Sequence, residues 1–211
     1  MASKNNFFNR GLSLLTNYQF NNNLIDDANG YNLTGINITY NNGNAVFNGI
    51  NSEATRLDSG GIFSFTDGIN DLPFRIETSI RFNAFTQQFQ FIASKRGATN
   101  SLCEWNLFYS VSTNEFRFNL FSDGVLVDYF RLSYLITPST ETIYNIVVDY
   151  DGSGTLNGLN MYINGVVSND KTEVGNYTNM IKTGCVFEVG DSSLSTNYFN
   201  GEIDYLKIYK W

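Results

Sequence analysis

The stretch Phe74-Arg-Ile-Glu-Thr-Ser-Ile-Arg-Phe82 alternates apolar or β-branched residues with charged or polar ones. Successive side chains of a β-strand point to opposite faces of its sheet. One face of this strand would carry Phe74, Ile76, Thr78, Ile80 and Phe82, and the other Arg75, Glu77, Ser79 and Arg81. The pattern therefore predicts a strand with one face against a core and one face in water.

Similar short runs of aromatic and β-branched residues continue on both sides of this strand. They predict strands over residues 14–20, 89–94, 105–109, 115–121, 125–130, 143–150, 159–163, 187–189 and 202–209. The dipeptides Asp123-Gly124, Asp151-Gly152 and Asn164-Gly165 lie between or just after strands, where such pairs favour tight hairpin turns. No segment shows a convincing helical period, so we predict an all-β chain.

Length and composition favour one large domain. The 211 residues are 42% hydrophobic and 16% aromatic, which is enough apolar material for a packed core. We expect this domain to cover residues 14–211. Residues 1–13 are polar apart from Phe7-Phe8 and are expected to form an N-terminal arm that a partner could order.

The charge balance excludes two classes of partner. The formal net charge is −7, and Lys and Arg do not cluster anywhere in the chain. Nucleic acids and anionic membranes are therefore not expected as partners, because both attract basic surfaces. The chain also shows neither a bilayer-spanning run nor a secretory signal, which predicts synthesis and retention in the cytosol.

Two cysteines, Cys103 and Cys185, are too few for a disulfide framework and too far apart in sequence for a metal-ligand motif. Two buried free thiols are the favoured interpretation, with one disulfide as the alternative.

Several segments, taken in order, resemble the laminin G-like branch of the concanavalin A-like lectin/glucanase superfamily in its pentraxin-like form. They include Tyr18-Gln-Phe20, Leu24-Ile-Asp26, Ile92-Ala-Ser-Lys95, Met161-Tyr-Ile-Asn-Gly165, Phe187-Glu-Val-Gly190 and the ending Tyr198-Phe-Asn-Gly-Glu-Ile-Asp-Tyr-Leu-Lys-Ile-Tyr209. The resemblance implies a two-sheet antiparallel jelly-roll β-sandwich with adjacent termini. This fold hosts lectins, enzymes, adhesion modules and viral surface proteins, so the fold alone does not assign a function.

Catalysis is disfavoured by the residues that are missing. The sequence contains no His, which removes Ser-His-Asp and Cys-His systems and His-ligated zinc. Glucanases of the superfamily that the chain resembles carry Glu-x-Asp-x-Glu or Glu-x-Asp-x-x-Glu on one strand. The nearest string here, Glu202-Ile-Asp204-Tyr-Leu-Lys207, lacks the third acid. We therefore expect a protein that is not an enzyme, with a polysaccharide hydrolase or lyase as a less favoured alternative.

A calcium ion is the cofactor that the resemblance allows, because related domains carry one bound by oxygen ligands. The candidate ligands are Asp26, Asp27, Asn29 and Asp204. Asp204 would approach the 26–30 loop if the closing strand lies beside the first strand. The alternative is an Asx-rich turn held by its own hydrogen bonds, and the sequence leaves both open.

A glycan site needs aromatic faces for stacking and polar groups for the sugar hydroxyls. Aromatic residues in predicted loops that could serve are Tyr31, Tyr40, Phe63, Phe65, Phe85, Tyr177 and Tyr198. For each of them, packing against the sandwich is the more common role.

These observations favour a non-enzymatic binding or structural protein displayed on a virion, such as a phage head-decoration, fibre or tail attachment component. Such a protein could bind host-surface glycans, use the arm to contact other virion proteins, and form a homotrimer. The alternative is an extracellular carbohydrate-binding or adhesion module of a cellular protein.

Overall fold

The computed structural model describes residues 11–97, 102–122, 126–193 and 197–211. These ranges contain sixteen strands, numbered β1 to β16 along the chain, and a 3₁₀ turn at Leu156–Gly158. The first eight strands are β1 Ser13–Tyr18, β2 Thr34–Ile36, β3 Thr39–Asn41, β4 Asn44–Asn48, β5 Glu53–Arg56, β6 Phe74–Phe82, β7 Phe89–Arg96 and β8 Cys103–Ser110. The remaining strands are β9 Glu115–Phe121, β10 Tyr129–Leu135, β11 Ile143–Tyr150, β12 Leu159–Ile163, β13 Val166–Val167, β14 Asp170–Val174, β15 Phe187–Val189 and β16 Asn200–Lys210.

The strands form two antiparallel sheets of eight strands each. Sheet A has the order β13-β12-β11-β6-β16-β4-β3, and β1 also pairs with β16. Sheet B has the order β14-β10-β9-β8-β7-β15-β5-β2. This architecture confirms the predicted all-β, two-sheet jelly-roll sandwich.

The core lies between the two sheets and is rich in aromatic rings. In β6, the five residues of the predicted apolar face are all buried, as the alternation in the sequence indicated. Phe65 stacks on Phe74 at 3.9 Å between ring centroids, and Phe63 stacks on Phe187 at 4.2 Å. Such contacts join loop aromatics to the inner faces of both sheets and stabilise the sandwich.

One charged cluster is buried within the sandwich. Lys95 and Asp58 are fully buried and form an ion pair at 2.7 Å, with Glu104 at 3.5 Å from the same ammonium group. Lys95 also donates a hydrogen bond to the carbonyl oxygen of Cys185 at 2.9 Å. Burial raises the pKa of the Glu104 carboxyl, although the Lys95 charge opposes that shift.

The first and last strands meet in sheet A. Ser13 of β1 lies opposite Lys210 of β16, and Tyr18 lies opposite Leu206. On its other side β16 pairs with β6 over most of its length. The closing strand is therefore internal to the sheet and lies beside the first strand.

The prediction of a strand over residues 125–130 was wrong. The strand in this region is β10, Tyr129–Leu135, and Val127 ahead of it is 55% exposed. The apolar residues of this region could not locate the strand, because polar Arg131 and Ser133 lie within it. The edge strand β14 was not predicted, since most of its residues are charged or exposed.

The Asn164-Gly165 turn and the two thiols agree with the predictions. Asn164 and Gly165 have φ values of 49° and 80° and join β12 to β13, as predicted for a primed hairpin turn. Cys103 and Cys185 are both buried free thiols, which matches the favoured interpretation. The pair Asp123-Gly124 and most of the proposed arm, including Phe7-Phe8, lie outside the described residues. Within the described ranges, no helix has the length and apolarity needed to cross a membrane.

Candidate functional site

A groove of about 310 Å³ lies on the outer face of sheet B, across β7 to β10. Its volume is within the range of small-ligand sites. The described residues that line it are Phe89, Phe91, Arg96, Asn106, Phe108, Arg117, Asn119, Phe121, Leu126, Tyr129 and Arg131. The described part of the lining thus combines aromatic rings with amide and guanidinium groups and includes no carboxylate.

Strand alternation places these side chains on the outer face. In β8, Trp105 and Leu107 point into the core, so Asn106 and Phe108 between and beside them point outward. In β9, Phe118 and Leu120 occupy the core in the same way and leave Asn119 on the groove side.

A continuous polar row crosses the groove floor. The strand register places Ser94 opposite Asn106, Asn106 opposite Asn119, and Asn119 opposite Arg131. The Asn119 amide donates to Asn106 Oδ1 at 3.0 Å, and Arg131 Nε donates to Asn119 Oδ1 at 3.1 Å. These bonds fix the amides of the floor in one orientation, which is what a hydroxyl-binding surface requires.

Aromatic rings flank this polar row on both sides. On one side Phe91 and Phe108 lie 5.1 Å apart between ring centroids, and Phe89 meets Phe108 at 5.7 Å. On the other side Phe121 and Tyr129 lie 5.2 Å apart. Phe89 and Tyr129 are half-buried, so part of each ring remains accessible to a ligand.

The electrostatics of the groove differ from those of the whole chain. Arg96, Arg117 and Arg131 all line it, although the chain carries a formal net charge of −7. Glu115 pairs with Arg117 at 2.6 Å. Arg131 contacts only neutral groups among the described residues: Asn119, the Tyr129 hydroxyl at 2.9 Å, and the Tyr129 ring at 5.0 Å from its centroid. Among the described residues, the groove lining therefore contains three Arg side chains and no acid that could transfer a proton.

The residues predicted to bind calcium are only partly brought together. The Asp26 carboxylate accepts four backbone N–H groups at 2.7 to 3.0 Å, from residues 17, 28, 29 and 31. The Asn29 side chain donates to the carbonyl oxygens of Leu14 and Leu15. Asp27 and Asp204 are exposed. The hydrogen bonds are those of the Asx-rich turn that the sequence left as an alternative, and the calcium site at these residues stays a prediction.

The incomplete acid motif on β16 forms a structural contact. Glu202 accepts hydrogen bonds from Asn41 at 2.9 Å, Asn44 at 3.2 Å and Arg81 at 2.8 Å. Burial favours a higher pKa for Glu202, but these three donors hold the pKa below its usual value. Asp204 lies at a β-bulge, where the register with β6 shifts between Ile203 and Tyr205. Glu202 is therefore ionised and its carboxylate is held by three donors. It does not carry the proton that a general acid must give up.

The seven aromatic residues predicted to bind a ligand separate into two groups. Phe63, Phe65 and Tyr177 are buried in the core, so packing is the role that the structure gives them. Tyr177 stacks on Phe130 at 3.8 Å and donates its hydroxyl to Asp71 at 2.8 Å. The half-buried members are Tyr31, Tyr40, Phe85 and Tyr198. None of the seven is part of the described groove lining.

The groove residues were missed by the sequence analysis, although one signal was present. Glu115-Phe-Arg-Phe-Asn-Leu-Phe121 alternates core residues with Arg117 and Asn119, which places these two side chains together on the outer face. The partner strands could not be known without the register.

Comparison with known proteins places most of the chain among jelly-roll domains. The family model Laminin_G_3, described as concanavalin A-like lectin/glucanases superfamily, matches residues 59–210. No curated protein sequence matches the chain at the level required for significance.

Three solved structures illustrate the fold. The binding domain of botulinum neurotoxin DC, in complex with rat synaptotagmin II, has a TM-score of 0.66 at 16% identity, over 93% of this chain and 48% of that one. Domain 4 of an extracellular arabinanase from Geobacillus stearothermophilus, in complex with arabinotriose, has a TM-score of 0.55 at 20% identity, over 94% and 93%. A Trypanosoma rangeli sialidase has a TM-score of 0.63 at 10% identity, over 92% and 30%.

The matched structures have low sequence identity to this chain and are covered to different extents. At these identities the likeness concerns the fold alone. The chain spans 48% of the neurotoxin binding domain, but it corresponds to nearly the whole of the arabinanase domain.

Proposed function

Because the chain belongs to the Laminin_G_3 family of the concanavalin A-like lectin/glucanases superfamily, we propose that it is a carbohydrate-binding module that does not transform its ligand. The groove on the outer face of sheet B is the proposed binding site. The observation that carries the proposal is the hydrogen-bonded row Asn106, Asn119 and Arg131 between two groups of aromatic rings.

This arrangement matches the chemistry of a sugar. A pyranose or furanose ring presents hydroxyl groups at its edge and C–H groups on its faces. Amide and guanidinium groups bind hydroxyl oxygens, and exposed parts of Phe89 and Tyr129 offer apolar faces to the C–H groups. The absence of a carboxylate from the described lining favours binding over glycoside hydrolysis, which needs a pair of acids.

The structural neighbours support the same class of function. One of them, domain 4 of an extracellular arabinanase, was solved in complex with the oligosaccharide arabinotriose. Others are binding domains of botulinum neurotoxins. Cell entry of botulinum neurotoxin type C is described as dependent on interaction with two ganglioside molecules. The fold also occurs in a sialidase. The experiment must therefore also measure release of sugar from the ligand.

A glycan array followed by calorimetry on the best ligand tests the proposal. We expect Asn119→Leu and Arg131→Met each to weaken binding at least about tenfold, since each removes polar contacts that would face the sugar. The matched control is Lys207→Met, a cationic residue on the opposite sheet, which should leave the affinity unchanged. Full binding by both groove variants would place the site elsewhere, and sugar release from the ligand would contradict the non-enzymatic assignment.

The setting in which such a module acts is a finer proposal. The sequence-based hypothesis of display on a virion, with partner contacts through the N-terminal arm and a homotrimeric state, is retained beside the alternative of an extracellular cellular module. Mass spectrometry of purified virus particles from the source, with light scattering of the purified protein, separates the two. A protein absent from particles and monomeric in solution would contradict the virion hypothesis.

A further inference from the structure

A second polar cluster lies on the outer face of sheet B, outside the groove lining. It consists of Glu53 on β5, Glu188 on β15 and Asp191 just after β15, and we call it the acidic trio. One carboxylate oxygen from each residue lies within 4.8 Å of the corresponding oxygen of the other two. Glu188 and Asp191 belong to one short segment, and Glu53, which is distant in sequence, joins them through the β5–β15 pairing.

Two members of the acidic trio, Glu188 and Asp191, are buried, Glu53 is half-buried, and no cationic group among the described residues pairs with them. Glu188 is 1% exposed and Asp191 is 4% exposed. No salt bridge among the described residues reaches any of the three carboxylates. Buried carboxylates that face one another without a cation are costly, because each loses its hydration and repels the others.

One carboxylate oxygen of the acidic trio lacks a hydrogen-bond donor among the described residues. Asp191 Oδ1 is buried and accepts no hydrogen bond from the described residues, and the neighbouring Ser192 hydroxyl is also buried without a partner. Buried carboxylate oxygens are normally paired. An unpaired one that belongs to a carboxylate facing two other acids indicates a missing positive group.

Glu188 is held in place from behind. Its Oε2 accepts the backbone N–H of Ser193 at 3.0 Å and the Ser94 hydroxyl at 3.2 Å, and its Oε1 accepts the Ser193 hydroxyl. These donors fix the carboxylate while leaving acceptor capacity on Oε1, as outer hydrogen bonds do for metal ligands.

We propose that the acidic trio is a binding site for a hard divalent cation, and that the ion is Ca²⁺. Carboxylate oxygens are preferred ligands of Ca²⁺, which binds them at about 2.3 to 2.6 Å. Oxygens on opposite sides of such an ion are about 4.8 Å apart. Small adjustments of the side chains therefore bring all three carboxylates to one ion.

Ca²⁺ fits this trio better than Mg²⁺ does. Mg²⁺ keeps several of its waters and requires shorter bonds of about 2.0 to 2.1 Å in a strict octahedron.

This cation site is independent of the proposed sugar groove, although the two are neighbours. Glu188 lies opposite Ser94, and Ser94 lies opposite Asn106 of the groove floor. A failure to bind sugar would not contradict the cation site, because Ca²⁺ binding is measured in the absence of sugar.

Calorimetric titration of the chelator-treated protein with CaCl₂, with MgCl₂ in parallel, tests the proposal. We expect about one Ca²⁺ per chain, a higher thermal midpoint in Ca²⁺, and at least tenfold weaker binding of Mg²⁺. Asp191→Asn and Glu53→Gln should each weaken Ca²⁺ binding at least tenfold. Both substitutions keep the side-chain shape and remove a repelling charge, so the metal-free variants are expected to fold.

The matched controls are Asp27→Asn and Asp204→Asn, which remove one acid each from the calcium site predicted by sequence. Both are exposed and should leave the titration unchanged. Terbium luminescence provides a second measurement, because the nearby Tyr198 can sensitise the ion. Absence of Ca²⁺ binding would overturn the proposal. So would binding that survives the acidic-trio substitutions, or binding that is lost in the two controls.

Discussion

Asp26 shows how the hydrogen bonds of one side chain can organise a loop. Its two oxygens accept four backbone N–H groups from both sides of the turn after β1. Burial favours a higher pKa for this carboxyl, but the four donors outweigh it and hold the pKa below the ordinary 3.8. The charged form is therefore the one that the folded state prefers.

This preference predicts a pH-dependent stability. Since the folded-state pKa is below the unfolded value, the contribution of Asp26 is present above about pH 4 and is lost as the pH falls through the folded-state pKa. We expect Asp26→Asn to lower the free energy of unfolding by about 1 to 2 kcal/mol at pH 7, and by less near pH 3. Urea unfolding at both pH values measures this difference. A loss that is equal at the two pH values would show that the charge of Asp26 is not the stabilising feature.

At the scale of elements, β16 contains the irregularity that sets the position of Asp204. The register with β6 shifts between Ile203 and Tyr205, yet Ile203, Leu206 and Ile208 all remain in the core. The extra residue thus moves the inward-facing positions from odd to even numbers without exposing the strand. Buried Thr78 of β6 donates its hydroxyl to the Tyr205 carbonyl oxygen at 2.8 Å beside this bulge.

Removal of that hydroxyl should weaken the bulge. Thr78→Val keeps the shape of the side chain but leaves the Tyr205 carbonyl without its donor, and we expect a loss of about 1 to 2 kcal/mol in the free energy of unfolding. Thr172→Val on the exposed face of β14 is the control and should change stability by less than about 0.5 kcal/mol. Chemical denaturation of the three proteins gives the comparison. Equal stability of Thr78→Val and wild type would mean that the bulge does not depend on this hydrogen bond.

The elements differ in how well sequence alone predicts them. β6 was predicted to the residue, because its burial follows a strict two-residue period. β10 was misplaced, since Val127 is apolar but exposed while Arg131 lies within the strand. The groove and the acidic trio were not predicted, because both depend on register: Asn106 meets Asn119, and Glu53 meets Glu188, only after strands from separate parts of the chain have paired.

The whole molecule is closed by its own ends, which predicts tolerance of circular permutation. Ser13 and Lys210 are paired residues on adjacent strands, so their Cα atoms are only about 5 Å apart. A chain that joins Trp211 to Ser13 through a short Gly/Ser linker and opens between Asn164 and Gly165 should fold with a cooperative thermal transition. That turn joins β12 to the edge strand β13. A permutant opened between Tyr205 and Leu206 within β16 should fail to fold, and equal folding of the two would contradict the central role of β16.

The internal position of β16 also has a consequence for biosynthesis. A ribosome makes about 5 to 20 residues per second from the N-terminus, so β16 is synthesised after its partners β1, β4 and β6. Until then the edges of β4 and β6 that β16 covers have no partner, and sheet A cannot close. Closure of the sheet therefore depends on contacts between distant parts of the sequence, which form slowly. A chain that has not yet gained β16 presents open strand edges to other nascent copies.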